Sequence, residues 1–158
     1  MIDAYMKIEG IDRESTDEKH AGWIEVMDFD FCIAQKVSRT ASTAGGASAE
    51  RADFSEFTIT KMLDKSSPLL AQACAEGRHI KCIVFELWRA GKVKYMAYRL
   101  TNCLIGAVST YADGGFPEEK IAIDVGRFEM VYTQQSRSTG LSLGHVASGW
   151  DRTMNCRV

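Results

Sequence analysis

Proline, a secretory leader and long apolar runs are scarce or missing in this chain. Only 2 of its 158 residues are proline, which favours a chain dominated by regular secondary structure. The first residues carry an acid at position 3 and no apolar core, so we expect no cleaved signal peptide. No stretch approaches the ~20 consecutive apolar residues of a membrane-spanning helix, and we expect no membrane insertion.

An excess of basic charge is also missing. The chain has 19 Lys+Arg against 21 Asp+Glu, a net charge of -2, and its isoelectric point is about 5.9. Nucleic-acid-binding domains usually carry a basic surface. Nothing of the form Gly-Lys-Ser/Thr follows the Gly45-Gly46 pair, so a phosphate-binding loop is excluded as well. We therefore expect no nucleic-acid partner.

Cysteine occurs in an odd, scattered set with no Cys-x-x-Cys spacing: Cys32, Cys74, Cys82, Cys103 and Cys156. This favours small apolar thiols in a reducing cytosol over a disulfide framework. Zinc would need three or four ligands at suitable spacing, and only Cys74, His79 and Cys82 lie close together. We expect no metal and no cofactor, and a His79 that bonds the chain near a helix end.

Apolar residues alternate along most of the chain, as they do in half-buried β-strands. Ile83, Phe85 and Leu87 share one side of a segment, and Ile121 and Ile123 share one side of another. The alternation predicts strands near 3–9, 22–35, 56–63, 79–89, 93–103, 104–111 and 119–134. With 46% hydrophobic residues, residues 1–158 are expected to form a single domain with its own core.

The last of these segments changes phase in its middle. Its apolar positions are odd up to Val125 and even from Phe128 onward. One extra residue at Gly126–Arg127 would restore the phase, so we predict a β-bulge there. Because bulges bend strands, this favours a small closed or nearly closed barrel.

One segment has the signals of a helix. The Ser66-Ser67-Pro68 tract offers a serine N-cap with proline at the first helical position, and Gly77 is a suitable stop. Apolar residues recur between them at helical spacing. The predicted fold class is therefore mainly β with one short flanking α-helix of about ten residues.

Three stretches are predicted to be connections. Residues 38–50 are small and polar, and a connection of that length is usually functional or disordered. Residues 112–117 are predicted to form a turn. Residues 134–149, rich in Ser, Gly and Gln, are predicted to be a loop.

The strand predicted at 23–33 has two unlike faces. Its apolar face is formed by Met27, Phe29, Phe31 and Ile33. Its polar face is formed by Asp28, Asp30 and Cys32. A pair of carboxylates can serve as acid and base or bind a cation, but a solvated face, or one that lines a cavity or pore, is the simpler interpretation.

A possible nucleophile lies in Gly140-Leu141-Ser142-Leu143-Gly144, which has the form G-x-S-x-G. In α/β-hydrolases this serine joins a strand to a helix, and an acid and then a histidine follow it. Here His145 is adjacent, no later acid is followed by a histidine, and no helical pattern follows Gly144. A glycine-containing loop is the simpler interpretation.

Several tracts together resemble the Hcp family, the haemolysin-coregulated proteins of the bacterial type VI secretion system. The resemblance spans almost the whole chain in the family's order. Its tracts are 2–11, 14–15, 17–20, 23–26, 64–70, 77–80, 132–135 and 149–151.

The resemblance implies a small β-barrel of two packed antiparallel sheets with a flanking helix, assembled as a homohexamer. It implies rings that stack into a tube, capped by a spike, surrounded by a contractile sheath and expelled, with small effector proteins carried in the lumen. It implies a structural protein, cytoplasmic before firing and then secreted, not an enzyme. Asp28, Asp30 and Cys32 would face the lumen, and Thr43, Gly45, Gly46 and Ser48 would lie in a ring-stacking loop.

Two other functions remain open from the residues themselves. A small serine hydrolase would use Ser142 and would lose ester turnover in Ser142→Ala. A monomeric ligand-binding β-barrel would hold its ligand in an internal pocket. Particles seen by electron microscopy would separate both from a ring.

Overall fold

The computed structural model describes residues 2–11, 15–38, 48–49, 51–90 and 93–158. The described chain is mainly β, with one helix, α1 (Ser67–Glu76). Its strands are β1 (Asp3–Ile8), β2 (Ile24–Val26), β3 (Asp28–Asp30), β4 (Ile33–Ala34), β5 (Val37–Ser38), β6 (Ser48–Ala49), β7 (Asp53–Phe54), β8 (Phe57–Met62), β9 (His79–Arg89), β10 (Val93–Tyr111), β11 (Glu118–Gln135), β12 (Ser142–Asp151) and β13 (Cys156–Arg157).

Four of the predicted segments differ from the observed elements. The segments at 93–103 and 104–111 form one continuous strand, β10. The segment at 22–35 is divided into the short strands β2, β3 and β4. The loop predicted at 134–149 is mostly strand, because β11 runs to Gln135 and β12 begins at Ser142. The first seven residues of β12 are exposed. Because neither face of this part is buried, its apolar and polar residues do not alternate in the way that identifies a strand.

The strands of the main sheet follow the order β13-β12-β11-β10-β9-β1-β2, with antiparallel neighbours. Strand β8 joins through β11 on one side and β3 on the other. Strand β11 changes partner along its length, since it pairs with β8 up to Ile123 and with β12 from Arg127 onward. Strands β4 and β7 form a small separate pair, and so do β5 and β6.

The phase change predicted at Gly126–Arg127 is present, but the bulge predicted there is not. The partners on either side, Thr101 with Arg127 and Cys103 with Val125, keep one register. In β9 and β10 the buried side chains also switch between odd and even positions, at residues that lie beside the change in β11. No extra residue is therefore needed on β11. On one side of the phase change, the buried residues paired across β9, β10 and β11 are Ile80, Cys103 and Val125. On the other side they are Ile83, Leu100 and Phe128.

Between these rows the backbones of β10 and β11 come unusually close. Asn102 on β10 has a φ of 54°, a left-handed conformation that reverses the direction of the next side chains. Opposite it, a Cβ on Gly126 would lie 2.8 Å from the Asn102 carbonyl oxygen and 2.9 Å from the Asn102 Cβ. Only glycine fits this approach, so Gly126 is required where β11 changes partner.

The core lies on the inner face of the long strands and contains an aromatic cluster. The Phe57 ring lies 5.3 Å from that of Phe85 and 5.4 Å from that of Tyr98, in T-shaped contacts. Phe29 of β3 stacks on Phe57 at 5.9 Å. Each such pair contributes about 0.5–1.5 kcal/mol beyond its area burial, so the cluster ties β3 to β8, β9 and β10.

Helix α1 confirms the predicted helix and its stop at Gly77, but it begins at Ser67, one residue before the proline predicted to open it. Ser66 is the N-cap residue, proline lies in the first turn, and Gly77 ends the helix with a φ of 64°. The Ser66 hydroxyl, however, donates to the Asp64 carboxylate rather than capping a helix N–H. Leu70 and Ala73 are fully buried and hold the helix on the sheet.

A buried ion pair anchors the start of this helix. Lys61 of β8 and Glu119 of β11 are direct cross-strand partners, with side chains 0% and 2% exposed. The Lys61 ammonium also lies 3.0 Å from an Asp64 carboxylate oxygen and donates to the Met62 carbonyl oxygen. The Ser67 hydroxyl accepts from Lys61 and donates to Glu119 at 2.8 Å. The network joins β8, β11 and the first turn of α1.

The segment before β2 covers the outer face of β1 and β9 through a buried histidine. His20 stacks on Tyr5 at 4.1 Å, and each ring nitrogen lies 2.8 Å from a carboxylate oxygen, one of Asp17 and one of Glu86. Burial acts to raise the pKa of Glu86, but hydrogen bonds with His20 and Trp88 outweigh it and hold that pKa below its ordinary value. These contacts fix residues 15–23 onto the sheet.

Candidate functional site

The predicted polar face of residues 23–33 is exposed at all three of its positions. Asp28 and Asp30 of β3 and Cys32 after it are exposed, while Phe29 and Phe31 turn toward the core. The prediction of an apolar face was correct for these two rings only. Met27 and Ile33 are 45% and 47% exposed. Met27 lies between β2 and β3, and Ile33 lies in β4, which pairs with β7 apart from the main sheet.

The exposed carboxylates belong to a wider polar face made by three strands. Asp28 pairs with Thr60 and Asp30 pairs with Thr58, both on β8. On the next strand, β11, Thr60 pairs with Lys120. Directly paired residues share a face of a sheet, so the face carries two acids, threonine hydroxyls and one ammonium. Its side chains are small or polar, as expected of a wall that faces solvent.

The predicted ring-stacking loop lies largely outside the described residues, which leaves out Thr43, Gly45 and Gly46. Its two ends are strands rather than loop. Ser38 pairs with Ser48, and Val37 pairs with Ala49. The 38–50 segment therefore leaves and returns through the antiparallel pair of β5 and β6.

Ser142 lies in no arrangement that would activate it as a nucleophile. It is exposed at the start of β12, and its hydroxyl accepts a long hydrogen bond from the Gly144 N–H at 3.4 Å. The neighbouring His145 bonds instead to the Thr133 hydroxyl, 3.0 Å from its Nδ1. A nucleophile of this type needs a base within hydrogen-bond reach, and His145 hydrogen-bonds to Thr133 instead of Ser142.

All five cysteines fall in the described part of the chain, and all five are free thiols. Cys103 is buried, and its burial, with the nearby Cys82 and Asp124, raises the pKa of its thiol to about 12. The candidate zinc ligands lie on α1 and at two positions of β9. Among the described residues no group of three or more His, Cys, Asp or Glu side chains could hold a metal ion.

Two surfaces stand out that the sequence patterns did not predict. The first, the turn patch, is the β10–β11 turn and its base, where Met62, Tyr111 and Phe116 are 46%, 47% and 61% exposed. Asp113 and Glu118 add negative charge to it. A phenylalanine between Gly115 and Pro117 in a turn was the signal that could have indicated it.

The second surface, the C-terminal groove, is a cleft of about 880 Å³ between the β4–β7 pair and β12. Its lining includes three aromatic residues, Phe54, Phe128 and Trp150. Arg51 and Arg157 also line it. Because its walls come from five strands far apart in sequence, no local pattern could have predicted it.

Among the described residues, no helix has the length and apolar character needed to cross a membrane. The helix present there, α1, has ten residues.

Comparison with known proteins finds relatives over nearly the whole chain. A family model described as "Type VI secretion system effector, Hcp" matches residues 5–132. Protein hcp1 of Pseudomonas aeruginosa is 28% identical over 162 residues, covering 99% of both chains. These matches include the residues on which the sequence resemblance rests.

Solved structures agree at the level of the fold. A type six secretion system protein aligns with a TM-score of 0.93 at 27% identity, covering 100% of both chains. Hcp1 from Salmonella typhimurium aligns with a TM-score of 0.83 at 25% identity, covering 99% of both chains. The chain therefore belongs to the Hcp family of the type VI secretion system, whose members are secreted structural proteins and not enzymes.

Proposed function

We propose that this protein is the repeating subunit of the type VI inner tube, a homohexameric ring that stacks on further rings. The observation that carries the proposal is the fold match over 100% of the chain to a type six secretion system protein, at a TM-score of 0.93. The partners would be further copies of the chain, a spike that caps the tube and a sheath whose contraction expels it. The protein would be cytoplasmic before firing and would then be secreted.

The surface of a single chain supports assembly. The chain exposes 9851 Å², whereas a compact monomer of its 17.5 kDa is expected to expose about 7,900 Å². Large apolar side chains are part of this excess, since Leu143 and Val146 of β12 are 59% and 72% exposed. Large exposed apolar side chains are often found at interaction sites.

Closure of the fold into a barrel is part of the proposal, and the strand pairings support it. Strand β8 pairs with β3, and the Met27 N–H donates to the Thr60 carbonyl oxygen at 2.8 Å. Strand β2, on the other side of Met27, pairs with β1. Strand β9 thus pairs with β1, β1 with β2, β3 with β8 and β8 with β11, and Met27 joins β2 to β3 along the chain. This series leaves few open edges for unwanted pairing.

The polar face with Asp28 and Asp30 is proposed to line the lumen of the ring. Six copies of Asp30 would then form a ring of like charge around the channel. Such a ring attracts cations and repels anions, so it would favour effector proteins with a basic surface. No covalent chemistry is needed, because the wall acts through charge and shape.

We expect Asp30→Arg to reduce effector retention sharply, because six carboxylates become six guanidinium groups around the cargo. The measurement is co-purification of a basic effector with assembled rings. Glu9→Arg is the matched control, an exposed carboxylate on the turn after β1, and it should retain the effector. Retention unchanged by Asp30→Arg would contradict the lumen assignment.

Native mass spectrometry tests the proposed function itself. Tube subunits should give a species at six times 17.5 kDa, whereas a monomeric ligand-binding barrel would give a single subunit with a ligand inside. A strict monomer at high protein concentration would contradict the proposal.

A further inference from the structure

We propose that His20 carries a positive charge in the folded protein and that its second proton acts as a latch. The proton holds residues 15–23 on β1 and β9, and its loss releases them. This latch lies within one subunit, so it does not depend on the proposed ring. The segment covers the outer face of the two strands, where the Tyr5 ring stacks on that of His20. Release therefore uncovers an aromatic surface.

Both ring nitrogens of His20 need a proton, because both face a carboxylate. Nδ1 lies 2.8 Å from Asp17 Oδ1, and Nε2 lies 2.8 Å from Glu86 Oε2. Asp17 Oδ1 also accepts from the Lys19 backbone N–H. Glu86 Oε2 also accepts from the Trp88 indole N–H. An ionised carboxylate offers only acceptors, and a neutral imidazole has only one N–H, so an imidazolium alone satisfies both contacts.

The described groups around His20 and the rings packed against it have an excess of negative charge. The carboxylates and ammonium groups that contact or act on them, from β1, β2, β9, β10 and the segment itself, are Asp3, Asp17, Glu25 and Glu86 against Lys7, Lys19 and Lys94. The His20 side chain is only 3% exposed. Unbalanced charge is costly in such a site, and a positive His20 offsets the excess.

The groups that contact His20 do not themselves change charge near neutral pH. Hydrogen bonding with His20 holds the pKa of Asp17 below its ordinary value. Burial opposes this for Glu86, but hydrogen bonds with His20 and Trp88 outweigh burial and lower its pKa as well. Burial, with the nearby Asp17, raises the pKa of Tyr5. The carboxylates lose their charge only when the pH falls through the lowered values, so opening near neutral pH reports on the His20 ring.

Side chains hold residues 15–23 to the sheet, since this segment contains no strand. Its backbone hydrogen bonds close it on itself, as from Ser15 to Trp23 and from Gly22 to Ser15. The contact from His20 Nε2 to Glu86 crosses to β9. Whichever nitrogen loses its proton, one carboxylate then faces a lone pair at 2.8 Å. A buried acceptor without a donor is unfavourable, so the segment opens.

Trypsin cleavage at Lys19, an exposed residue of the segment, measures this opening. Arg137 in the exposed turn after β11 is the internal reference, because the ratio of the two cleavage rates cancels the effect of pH on trypsin. For the wild-type protein we expect the ratio to rise by about 10-fold or more from neutral to mildly alkaline pH, as loss of one charge-assisted hydrogen bond predicts. A ratio that does not change with pH overturns the latch.

His20→Gln should give the high ratio already at neutral pH, and its ratio should not depend on pH, because an amide has no titrating proton. His145→Gln is the matched control. His145 is exposed on β12 and hydrogen-bonds to Thr133, so this variant should behave as the wild type does. A pH-dependent ratio that persists in His20→Gln assigns the opening to another group and overturns the proposal.

Solid-state nitrogen NMR of histidine-labelled protein tests the charge without substituting His20. The chain has 3 histidines, so His79→Gln/His145→Gln leaves His20 as the single signal. At neutral pH both of its ring nitrogens should carry a proton. A ring with one bare nitrogen overturns the proposal. Failure to form rings would overturn the proposed function but would leave this readout unchanged, so the two failures are distinguishable.

Discussion

Gly126→Ala should lower the free energy of unfolding by about 3 kcal/mol. The new Cβ would lie 2.8 Å from the Asn102 carbonyl oxygen and 2.9 Å from the Asn102 Cβ. Both atoms are held by the ladders of β9, β10 and β11, so the overlap can be relieved only by moving backbone. Overpacking of this kind costs about 1–3 kcal/mol and sometimes more. Chemical denaturation followed by circular dichroism measures the change.

Gly115→Ala is the matched control for that substitution. A Cβ on Gly115 meets nothing within 4 Å, and the residue lies in the exposed 112–117 turn. Substitutions at such surface positions usually change stability by about 0.5 kcal/mol or less. Equal losses for Gly115→Ala and Gly126→Ala would show that the close approach of β10 and β11 does not restrict position 126.

Lys61→Met should cost about 3–5 kcal/mol of stability, the other large effect that we expect. The Lys61 and Glu119 side chains are 0% and 2% exposed, and the Asp64 carboxylate also depends on the ammonium. Removing the cation leaves buried negative charge without the countercharge of Lys61, which is costly in a dry interior. Thermal and denaturant unfolding at neutral pH measures the loss.

The double variant Lys61→Met/Glu119→Leu separates loss of the pair from loss of one partner. With both charges of the pair replaced by apolar groups, we expect it to be more stable than Lys61→Met alone. Lys36→Met is the surface control, because its pair with Asp53 is 3.4 Å long with side chains 70% and 61% exposed. A double variant that loses the sum of the single losses would contradict the account.

The helix and most strands could be predicted because their signals are local. Ser66, a proline in the first turn and Gly77 mark the helix, and alternating apolar residues mark strands with one buried face. Strand β12 was missed because its first seven residues are exposed. Its pairing with β11 is made by backbone groups, which leave no trace in the residue pattern.

The phase change at Val125–Phe128 shows where a single strand's pattern is insufficient. The residues showed that a change occurs, but not that Ile80–Ile83 and Leu100–Cys103 change in the same rows. A bulge on one strand was therefore predicted where three neighbouring strands change together.

The candidate surfaces were predictable to different degrees. The exposed acids of β3 followed from alternation, whereas the groove could not be predicted because its parts meet only in the folded chain. The buried pair did carry a signal, since Lys61 shares a strand face with Phe57 and Ile59, and Glu119 shares one with Ile121. Charges in line with buried apolar residues indicate a paired, desolvated site.

Electron microscopy of the purified wild-type protein tests the central claim most directly. The account predicts six-fold annular particles with an open centre, some of them stacked into short tubes. Compact single subunits without any annulus, at the highest concentration that the grid allows, would contradict it.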